Sequence, residues 1–365
     1  MIFDIVDNPT RVDNFAGWAY GYFGRVETDV LGAPYEARTI ELPDDDEGRV
    51  VATLVRRFAP QPTRRAILYV HGFNDYFFQT HLADFYTAGG WDFYALDLRK
   101  YGRSLLTHQT PSFARSMAEY FPELDEATRI VRTEDGHDTV LFNGHSTGGL
   151  IGSLYAHARR ARRPFDALFL NSPFLDFNTR WLVRRPLAPF LAGVGAMRPY
   201  HALPFKGPGI YGRSLHASLD GEWDYDLAWK PVGSLPARYG WLRGVRNAQL
   251  RVRRGLRVDV PILVGHSDAS FKKLIWDDDA HITDAVLDVD HIVRWAPKLG
   301  RNVKVVRIPG AKHDLALSLP PARQQLFAEL DDWIRAVFPA NGAAIVTERN
   351  LATPPSHAAT PADHG

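Results

Sequence analysis

The chain has 365 residues, enough for one large domain or two small ones at roughly 150 residues per domain. Its 45% hydrophobic and 23% charged residues are those of an ordinary globular protein, and they exclude wholesale disorder and collagen-like repeats. The net charge of +1 provides no global field for a polyanion, so nucleic acid is not an expected partner. Because cysteine is absent, disulfides, thiolate metal sites and a cysteine nucleophile are excluded.

The N-terminal stretch, Met1 to Thr10, lacks the basic residues and the following apolar run that form a secretory signal. No run of about 18 apolar residues occurs elsewhere in the sequence, so no transmembrane segment is predicted. We therefore expect a cytoplasmic protein.

The first predicted elements form a β-hairpin. Two alternating stretches, Glu36 to Leu42 and Arg49 to Phe58, have the pattern of half-buried strands. The stretch Pro43 to Gly48 between them is rich in turn-forming residues. The sequence therefore predicts two antiparallel strands joined by a loop of several residues.

Short apolar runs follow the hairpin, and most are separated by segments of helix length. They are rich in Val, Ile, Leu and Phe and are bounded by Gly, Pro, Asn or Asp, which is typical of strands buried on both faces of a parallel sheet. The runs lie at Ala66 to Val70, Asp92 to Leu98, Thr139 to Phe142, Ala167 to Leu170, Pro261 to Val264 and Val303 to Ile308. The predicted fold class is α/β, with a doubly wound, mostly parallel sheet and an N-terminal antiparallel hairpin.

One interval between these runs, 172–257, spans about 85 residues and is much longer than the helix that a parallel crossover requires. It is rich in Trp, Tyr, Pro and Arg, which indicates a small cap inserted into the core and packed over the sheet. The α/β core then comprises 1–171 and 258–340. The last stretch, 341–365, has too few large apolar side chains to form a core, and we expect it to be disordered.

The strongest local pattern is GHSTG at 144–148, with Ser146 at its centre. It follows the apolar run 139–142 directly and precedes apolar residues spaced as on one helix face: Leu150, Ile151, Leu154 and Tyr155. A serine in such a strand-to-helix turn takes strained backbone angles, and the glycines two positions away let strand and helix approach closely. The pattern therefore predicts an exposed, nucleophilic hydroxyl at Ser146.

Three further segments accompany this turn. They are Ala66 to Phe73 (AILYVHGF), Tyr94 to Arg99 with Gly102 to Ser104, and Ile308 to His313 (IPGAKH). On these residues the chain resembles the α/β-hydrolase superfamily and, within it, the monoacylglycerol lipase and lysophospholipase-like branch grouped with the serine aminopeptidase-like (S33) hydrolases. The resemblance runs from about Ala66 to Ile334 apart from the predicted cap. It implies a serine hydrolase that uses no cofactor.

The resemblance also implies an oxyanion hole. The matching groups are the backbone N–H of Phe73, in the loop after the strand that ends in His-Gly, and the backbone N–H of Thr147, directly after the nucleophile. Two amides aimed at one point stabilise the negative oxygen of an acyl-transfer transition state.

A serine nucleophile needs a base, and the base needs a carboxylate to orient it. By the superfamily's chain order of Ser, acid and His, the base is His313, in the loop after the last predicted strand. Two residues compete as the acid. Asp284, in the stretch before the final helix and strand, is preferred, and Asp268, closer to the strand 261–264, is the alternative if the apparent insertion from about Ala269 to Ile282 follows the acid.

The expected partner is a small-molecule ester, and the resemblance favours an acyl lipid such as a monoacylglycerol or lysophospholipid. Tyr76 and Phe77 after the oxyanion loop, and Trp181 and Phe190 in the predicted cap, are candidates to line an acyl-chain tunnel. The same rings would also suit the core of a cap, and short-chain esterase activity fits the same residues.

Two other functions stay open at this point. An aminopeptidase would need acidic cap residues to hold a free amine, for which Glu222 and Asp224 are available. A binding protein on the same fold is the other alternative, since a fold does not fix a function. No metal-ligand spacing such as His-Glu-x-x-His and no phosphate-binding glycine motif occurs, so neither a metal nor a nucleotide cofactor is expected.

Overall fold

The computed structural model describes residues 26–178, 193–204 and 209–339. Within them a nine-stranded sheet has the order β1-β2-β3-β5-β4-β6-β7-β8-β9. The strands are β1 (Val26–Thr28), β2 (Glu36–Asp45), β3 (Gly48–Arg57), β4 (Arg65–Val70), β5 (Asp92–Asp97), β6 (Thr139–His145), β7 (Ala167–Asn171), β8 (Ile262–Ser267) and β9 (Val303–Ile308). The strands β1, β2 and β3 pair antiparallel to their neighbours, β3 joins β5 antiparallel, and all remaining pairs are parallel.

Helices connect the parallel strands. They are α1 (Thr80–Ala88), α2 (Phe121–Arg129), α3 (Thr147–Ala158), α4 (Ile210–Leu215), α5 (Tyr239–Arg253), α6 (Val289–Trp295) and α7 (Pro320–Val337). A short π-helical segment, Ile130–Glu134, extends α2, and residues 193–197 are also helical. Among the described residues, none of the helices combines the length and apolarity needed to cross a membrane.

The predicted α/β fold class is confirmed, including the antiparallel hairpin. The hairpin turn is tighter than expected, because β2 continues to Asp45 and β3 begins at Gly48. Gly48 takes a φ of 99°, which favours glycine, and the Asp45 carboxylate accepts a hydrogen bond from the Glu47 N–H at 2.8 Å. The register shifts between Leu42 and Asp45, so a β-bulge absorbs the polar residues that the sequence places in a loop.

The central strands are buried on both faces, as their apolar runs predict. In β4, Leu68 and Val70 pack into one hydrophobic cluster, while Ile67 and Tyr69 pack into a second cluster on the opposite face. All four side chains are almost completely buried. Residues of a strand alternate between faces, so a continuous apolar run fills both layers between sheet and helices.

The segment between β7 and β8, called the inserted segment below, carries α4 and α5 in its described part. One face of α5 packs Trp241, Leu242 and Val245 into the same cluster as the central strands. The predicted cap 172–257 and its bounds stay a prediction. Residues 179–192 and 205–208, and the predicted disordered tail 341–365, lie outside the described residues.

The parallel strands β4, β6, β7, β8 and β9 end at one edge of the sheet. Loops that leave the carboxyl ends of parallel strands meet there, which is where open α/β sheets bind their ligands. The loops after these strands carry the residues that the sequence analysis selected.

Candidate active site

Ser146 occupies a sharp turn between β6 and α3. Its φ of 51° and ψ of −113° lie outside the regions that residues with side chains favour. Gly148 permits the turn, because a Cβ there would lie 2.3 Å from the carbonyl oxygen of Val70 and 2.4 Å from that of His71. The Ser146 N–H donates to the Asn171 carbonyl at 2.9 Å, which fixes the turn to the adjacent strand β7.

Ser146, His313 and Asp284 form a continuous hydrogen-bonded line. His313 Nε2 lies 2.9 Å from Ser146 Oγ, and His313 Nδ1 lies 2.9 Å from Asp284 Oδ2. All three side chains are buried, so the Ser146 hydroxyl is not exposed as the sequence pattern predicts. In such a line the imidazole can accept the hydroxyl proton at Nε2 while its Nδ1–H donates a hydrogen bond to the carboxylate.

Asp284 is held at this position by its own loop. Its Oδ1 accepts hydrogen bonds from the N–H groups of Val286 and Leu287 at 2.8 and 2.7 Å, which leaves Oδ2 to the imidazole. The Asp284 N–H donates to the Ala269 carbonyl, and the Phe271 N–H donates to the Asp284 carbonyl. The two ends of the apparent insertion 269–282 therefore lie side by side. The carboxylate therefore lies beside the end of β8 although the intervening loop separates the two in sequence.

The alternative acid, Asp268, occupies a different place. Its side chain is exposed, and its Oδ1 accepts a hydrogen bond from the Gly310 N–H at 3.0 Å. The imidazole of His313 is bonded to Asp284 instead. The structure thus brings one of the two candidate carboxylates to the histidine.

The candidate oxyanion amides flank the nucleophile. Thr147 is the first residue of α3, and the N–H groups of a first helical turn have no partner within the helix. Gly72, which precedes Phe73, lies so close that a Cβ on it would be 3.1 Å from the Ser146 Cβ. Among the described residues, neither the Phe73 N–H nor the Thr147 N–H has a hydrogen-bond acceptor in the protein.

The candidate acyl-binding rings separate into different environments. The Phe77 ring packs in the core against Tyr35, Tyr69 and Phe93, so its placement does not support the predicted role in lining a tunnel. Tyr76 points to the inserted segment, where its ring meets the Trp229 ring edge-on at 5.1 Å. The other two candidates, Trp181 and Phe190, lie outside the described residues.

Two residues whose backbones adjoin the turn at Ser146, Phe73 and Phe174, carry aromatic rings that the sequence analysis did not select for substrate contact. The Phe174 N–H donates to the Ser146 carbonyl at 3.0 Å, and the Phe73 ring contacts the Trp241 ring of α5 at 4.2 Å between centroids. Phe73 and Phe174 are only half-buried. Phe174 lies four residues after the predicted strand 167–170, in the loop at its carboxyl end, and this position is the signal that could have found it. Nothing local indicates Trp241.

A buried charged network also escaped the sequence analysis. Asp75 Oδ1 lies 2.7 Å from the ammonium of Lys230, and Asp75 Oδ2 lies 3.2 Å from Nδ1 of His145. Burial alone would raise the pKa of Asp75, but the Lys230 ammonium and the His145 imidazole lower that pKa well below its usual range. The imidazole rings of His145 and His313 lie 5.0 Å apart between centroids, so the network adjoins the catalytic candidates.

Lys312, beside the candidate base, is buried without a carboxylate partner among the described residues. Its ammonium donates to the Ser214 carbonyl of α4 at 2.6 Å. Burial lowers the pKa of Lys312 to about 8, and the nearby Glu222 carboxylate opposes this shift only in part.

The acidic residues considered for an aminopeptidase are engaged or exposed. Glu222 accepts a hydrogen bond from the Arg323 guanidinium at 2.9 Å, and the Asp224 side chain is 96% exposed. Glu222 is therefore already paired with a guanidinium, and the Asp224 carboxylate faces solvent. Within the described ranges, no group of three or more His, Asp or Glu side chains is arranged to bind a metal ion.

Comparison with known proteins gives a family match. The family described as "Serine aminopeptidase, S33" matches residues 61–270, more than half of the chain. The matched range includes Phe73 and Ser146 and ends before Asp284. No protein with a curated description matches the chain in sequence.

Solved structures share the fold at low sequence identity. A soluble variant of monoglyceride lipase from Saccharomyces cerevisiae, in complex with a substrate analog, has a TM-score of 0.62 at 16% identity, covering 87% of this chain and 98% of that chain. A thermostable carboxyl esterase from Bacillus coagulans, in complex with glycerol, has a TM-score of 0.60 at 16% identity, covering 82% and 98%. The monoacylglycerol lipase of Paleococcus ferrophilus has a TM-score of 0.57 at 17% identity, covering 78% and 99%.

Proposed function

This chain belongs to the Serine aminopeptidase, S33, family of hydrolases, and we propose that it is a serine hydrolase that cleaves carboxylic esters through an acyl-enzyme. The observation that carries the proposal is the line of two 2.9 Å hydrogen bonds that joins Ser146 through His313 to Asp284. Nucleophile, base and orienting carboxylate are the groups that acyl transfer to a serine requires.

In the first half of the reaction, His313 Nε2 takes the proton of the Ser146 hydroxyl as Oγ attacks the ester carbonyl. The carbonyl π electrons move to oxygen and form a tetrahedral oxyanion. When this oxyanion collapses, the C–O bond to the alcohol breaks, and the imidazolium of His313 gives its proton to the departing oxygen. The products of this half are an alcohol and an acyl group on Ser146.

The second half repeats these steps with water. His313 removes a proton from water, the hydroxide attacks the acyl carbonyl, and collapse returns the proton to Ser146 Oγ while the carboxylic acid departs. Asp284 keeps the imidazole in one tautomer and stabilises its charged form. The N–H groups of Phe73 and Thr147 bind the oxyanion in both halves, each contributing about 3 kcal/mol of transition-state stabilisation.

For the substrate class we propose monoesters with a medium or long acyl chain, of the monoacylglycerol or lysophospholipid kind. The half-buried rings of Phe73 and Phe174, next to Trp241, offer an apolar surface beside the nucleophile that suits an acyl chain. Two structures that share this fold are described as monoglyceride lipases, which agrees with such a substrate.

Peptide hydrolysis is the less favoured interpretation despite the family's name. An aminopeptidase needs an unengaged carboxylate for the substrate's ammonium group, and the buried carboxylates beside the site already have partners. Asp75 bonds to Lys230, and Asp314 Oδ1 accepts from Asn171 at 2.7 Å. These contacts favour a neutral substrate over one with a free amine.

The test is hydrolysis of p-nitrophenyl esters from acetate to palmitate, with Ser146→Ala measured in parallel. We expect Ser146-dependent turnover with a maximum at medium or long chains. A maximum at acetate or butyrate would support a small-ester esterase instead, and an aminoacyl p-nitroanilide cleaved faster than every ester would support the peptidase. Turnover that Ser146→Ala retains in full would refute the serine mechanism.

A further inference from the structure

The loop that carries the Phe73 amide lies outside the regular hydrogen bonding of the sheet. It leaves β4 after Val70 and passes through Asn74, whose φ of 54° lies in the left-handed region. Asparagine adopts this region more readily than other residues with side chains, but no strand or helix pairing fixes it here. The position of the oxyanion amide therefore depends on what holds the residues that follow Phe73.

The inserted segment holds two of them. The Lys230 ammonium lies 2.7 Å from Asp75 Oδ1, and the Asn74 side-chain amide donates to the Pro231 carbonyl at 3.2 Å. Lys230 and Asp75 are 155 positions apart in sequence and only 5% and 1% exposed. Two consecutive residues of the inserted segment thus bind two consecutive residues directly after Phe73.

The Asp75 carboxylate also contacts residues on both sides of the candidate oxyanion hole. Its second oxygen, Oδ2, lies 3.2 Å from His145 Nδ1 and 3.5 Å from the Gly72 N–H. The carboxylate therefore touches the residue before Phe73 and the residue before Ser146. If Asp75 moves, both sides of the oxyanion hole lose a support.

Lys230 has no competing carboxylate in the described part of the chain. Its ammonium lies 5.7 to 5.8 Å from the ring centroids of Phe78, Tyr211 and Tyr225. Rings at this distance attract a cation but do not neutralise it, and an unpaired buried ammonium is costly. The three rings around the ammonium therefore favour a Lys230 that stays paired with Asp75 over one that is separated from it.

We propose that Lys230 is a positioning residue for acyl transfer, which fixes the loop 71–75 through Asp75 so that the Phe73 amide points at the oxyanion. This inference rests on the proposed function, since it assumes that Ser146 is acylated. The Lys230 ammonium contacts Asp75 and three aromatic rings and not Ser146, His313 or Asp284. Its effect is therefore expected on the rate of bond formation and not on substrate binding.

The test is the rate at which an alkyl fluorophosphonate labels Ser146, because the phosphoryl oxygen of this probe occupies the oxyanion position whatever the natural ester is. Lys230→Met is expected to slow labelling at least about tenfold at equal folded fraction, and to lower kcat for an ester by a similar factor with KM within about twofold. The midpoint of the pH profile of kcat/KM should not move, because the His313–Asp284 pair is untouched.

Lys100→Met is the matched control. Lys100 is also a buried lysine, with its ammonium 2.6 and 2.5 Å from Asp45 and Glu47 and 5.7 Å from the Phe113 ring, but its carboxylate partners lie in the hairpin between β2 and β3. We expect Lys100→Met to lose stability as Lys230→Met does and to label Ser146 within about twofold of the unmodified rate. Equal slowing by both variants would show a general stability effect and overturn the proposal.

A double variant covers the case in which Lys230→Met does not fold. Lys230→Met with Asp75→Asn removes both charges, so no unpaired carboxylate stays buried, and stability should recover while labelling stays slow. Wild-type labelling in this variant, or a shifted pH midpoint with an unchanged plateau rate, would overturn the positioning role. Labelling that persists in Ser146→Ala would instead refute the proposed function itself.

Discussion

The loops after the parallel strands and the segment inserted between β7 and β8 contribute to the site in different ways. Ser146, Asp284 and His313 all come from strand-end loops, and two hydrogen bonds of 2.9 Å connect them. The inserted segment supplies groups that bind the neighbours of these residues. Lys230 bonds to Asp75, and the Ser214 carbonyl accepts from Lys312.

The difference separates the proposed reacting groups from the groups that hold them. Strand ends are fixed by the sheet, so they can place atoms to within the tolerance that catalysis needs. The inserted segment adds contacts to these loops. Loss of such a contact would shift a loop but would not remove a reacting atom. Changes at Ser146, His313 or Asp284 should therefore act on the rate by orders of magnitude, and changes at the inserted segment should act by smaller factors or on stability.

The largest expected effect separates the two candidate acids. Asp284→Asn keeps the shape of the side chain but cannot hold the imidazolium, and kcat for an ester is expected to fall roughly 10³- to 10⁴-fold. Asp268→Asn is the matched control, and it should stay within about threefold because its side chain bonds to the Gly310 N–H and not to the imidazole. Steady-state kinetics of both purified variants decides the matter, and the reverse ranking would reassign the acid.

The burial of Lys312 should make the free energy of unfolding depend on pH. In the folded protein the pKa of Lys312 is about 8, below its ordinary 10.5, so the unfolded chain binds more protons between these two values. Stability should therefore rise with pH from about 8 to 10.5, by about 3 kcal/mol relative to Lys312→Met. Urea unfolding of both proteins at pH 7, 9 and 10.5, roughly spanning this window, measures the difference. Parallel curves would show that Lys312 is not buried as described.

A comparison of two glycines tests the close packing of the nucleophile's turn. Gly148→Ala would place a Cβ within 2.4 Å of two backbone carbonyl oxygens, and we expect a loss of roughly 2–3 kcal/mol in the free energy of unfolding. Gly233, in the inserted segment, has no atom within 4 Å of the position that a Cβ would take, so Gly233→Ala should change stability by less than about 0.5 kcal/mol. Chemical denaturation of both variants is the measurement, and equal losses would contradict it.

The smallest expected effect is on the choice of acyl chain. Trp241→Ala removes a ring that contacts Phe73, and the ratio of kcat/KM for octanoate over acetate esters should fall about tenfold. Trp223→Ala, which removes a ring stacked on His81 instead, should leave this ratio within about twofold. An unchanged ratio in Trp241→Ala would place the acyl chain elsewhere.

The strands of the sheet were accessible from the sequence because burial on both faces leaves a continuous apolar run. The run Val303 to Ile308 coincides with β9, and most others differ from the observed strands by only one to three residues at an end. The strand β1 was missed, since Val26–Thr28 has only three exposed residues and no apolar pattern. Its existence depends on pairing with β2, which a local pattern does not reveal.

The site shows the same limit. Ser146 and His313 lie in local motifs that predict a role for each of them. In contrast, Tyr76, Phe77 and Phe78 are consecutive rings that sequence alone cannot assign to a face. In the structure Phe77 faces the core, and Tyr76 and Phe78 face the inserted segment. The pair of Lys230 and Asp75 joins residues 155 positions apart and has no local signal at all.

The insertion after β8 is closed at its base, which makes its far side suitable for attaching a label. Backbone hydrogen bonds from Phe271 to Asp284 and from Asp284 to Ala269 close the loop at its base, while Leu274 at its far side is 88% exposed. The cost of closing a loop rises only with the logarithm of its length, by about 0.6 kcal/mol for each doubling. The stretch around Leu274 is therefore a place where a reporter peptide or a fluorophore could be attached. The two backbone hydrogen bonds at the base of the loop would keep Asp284 in position.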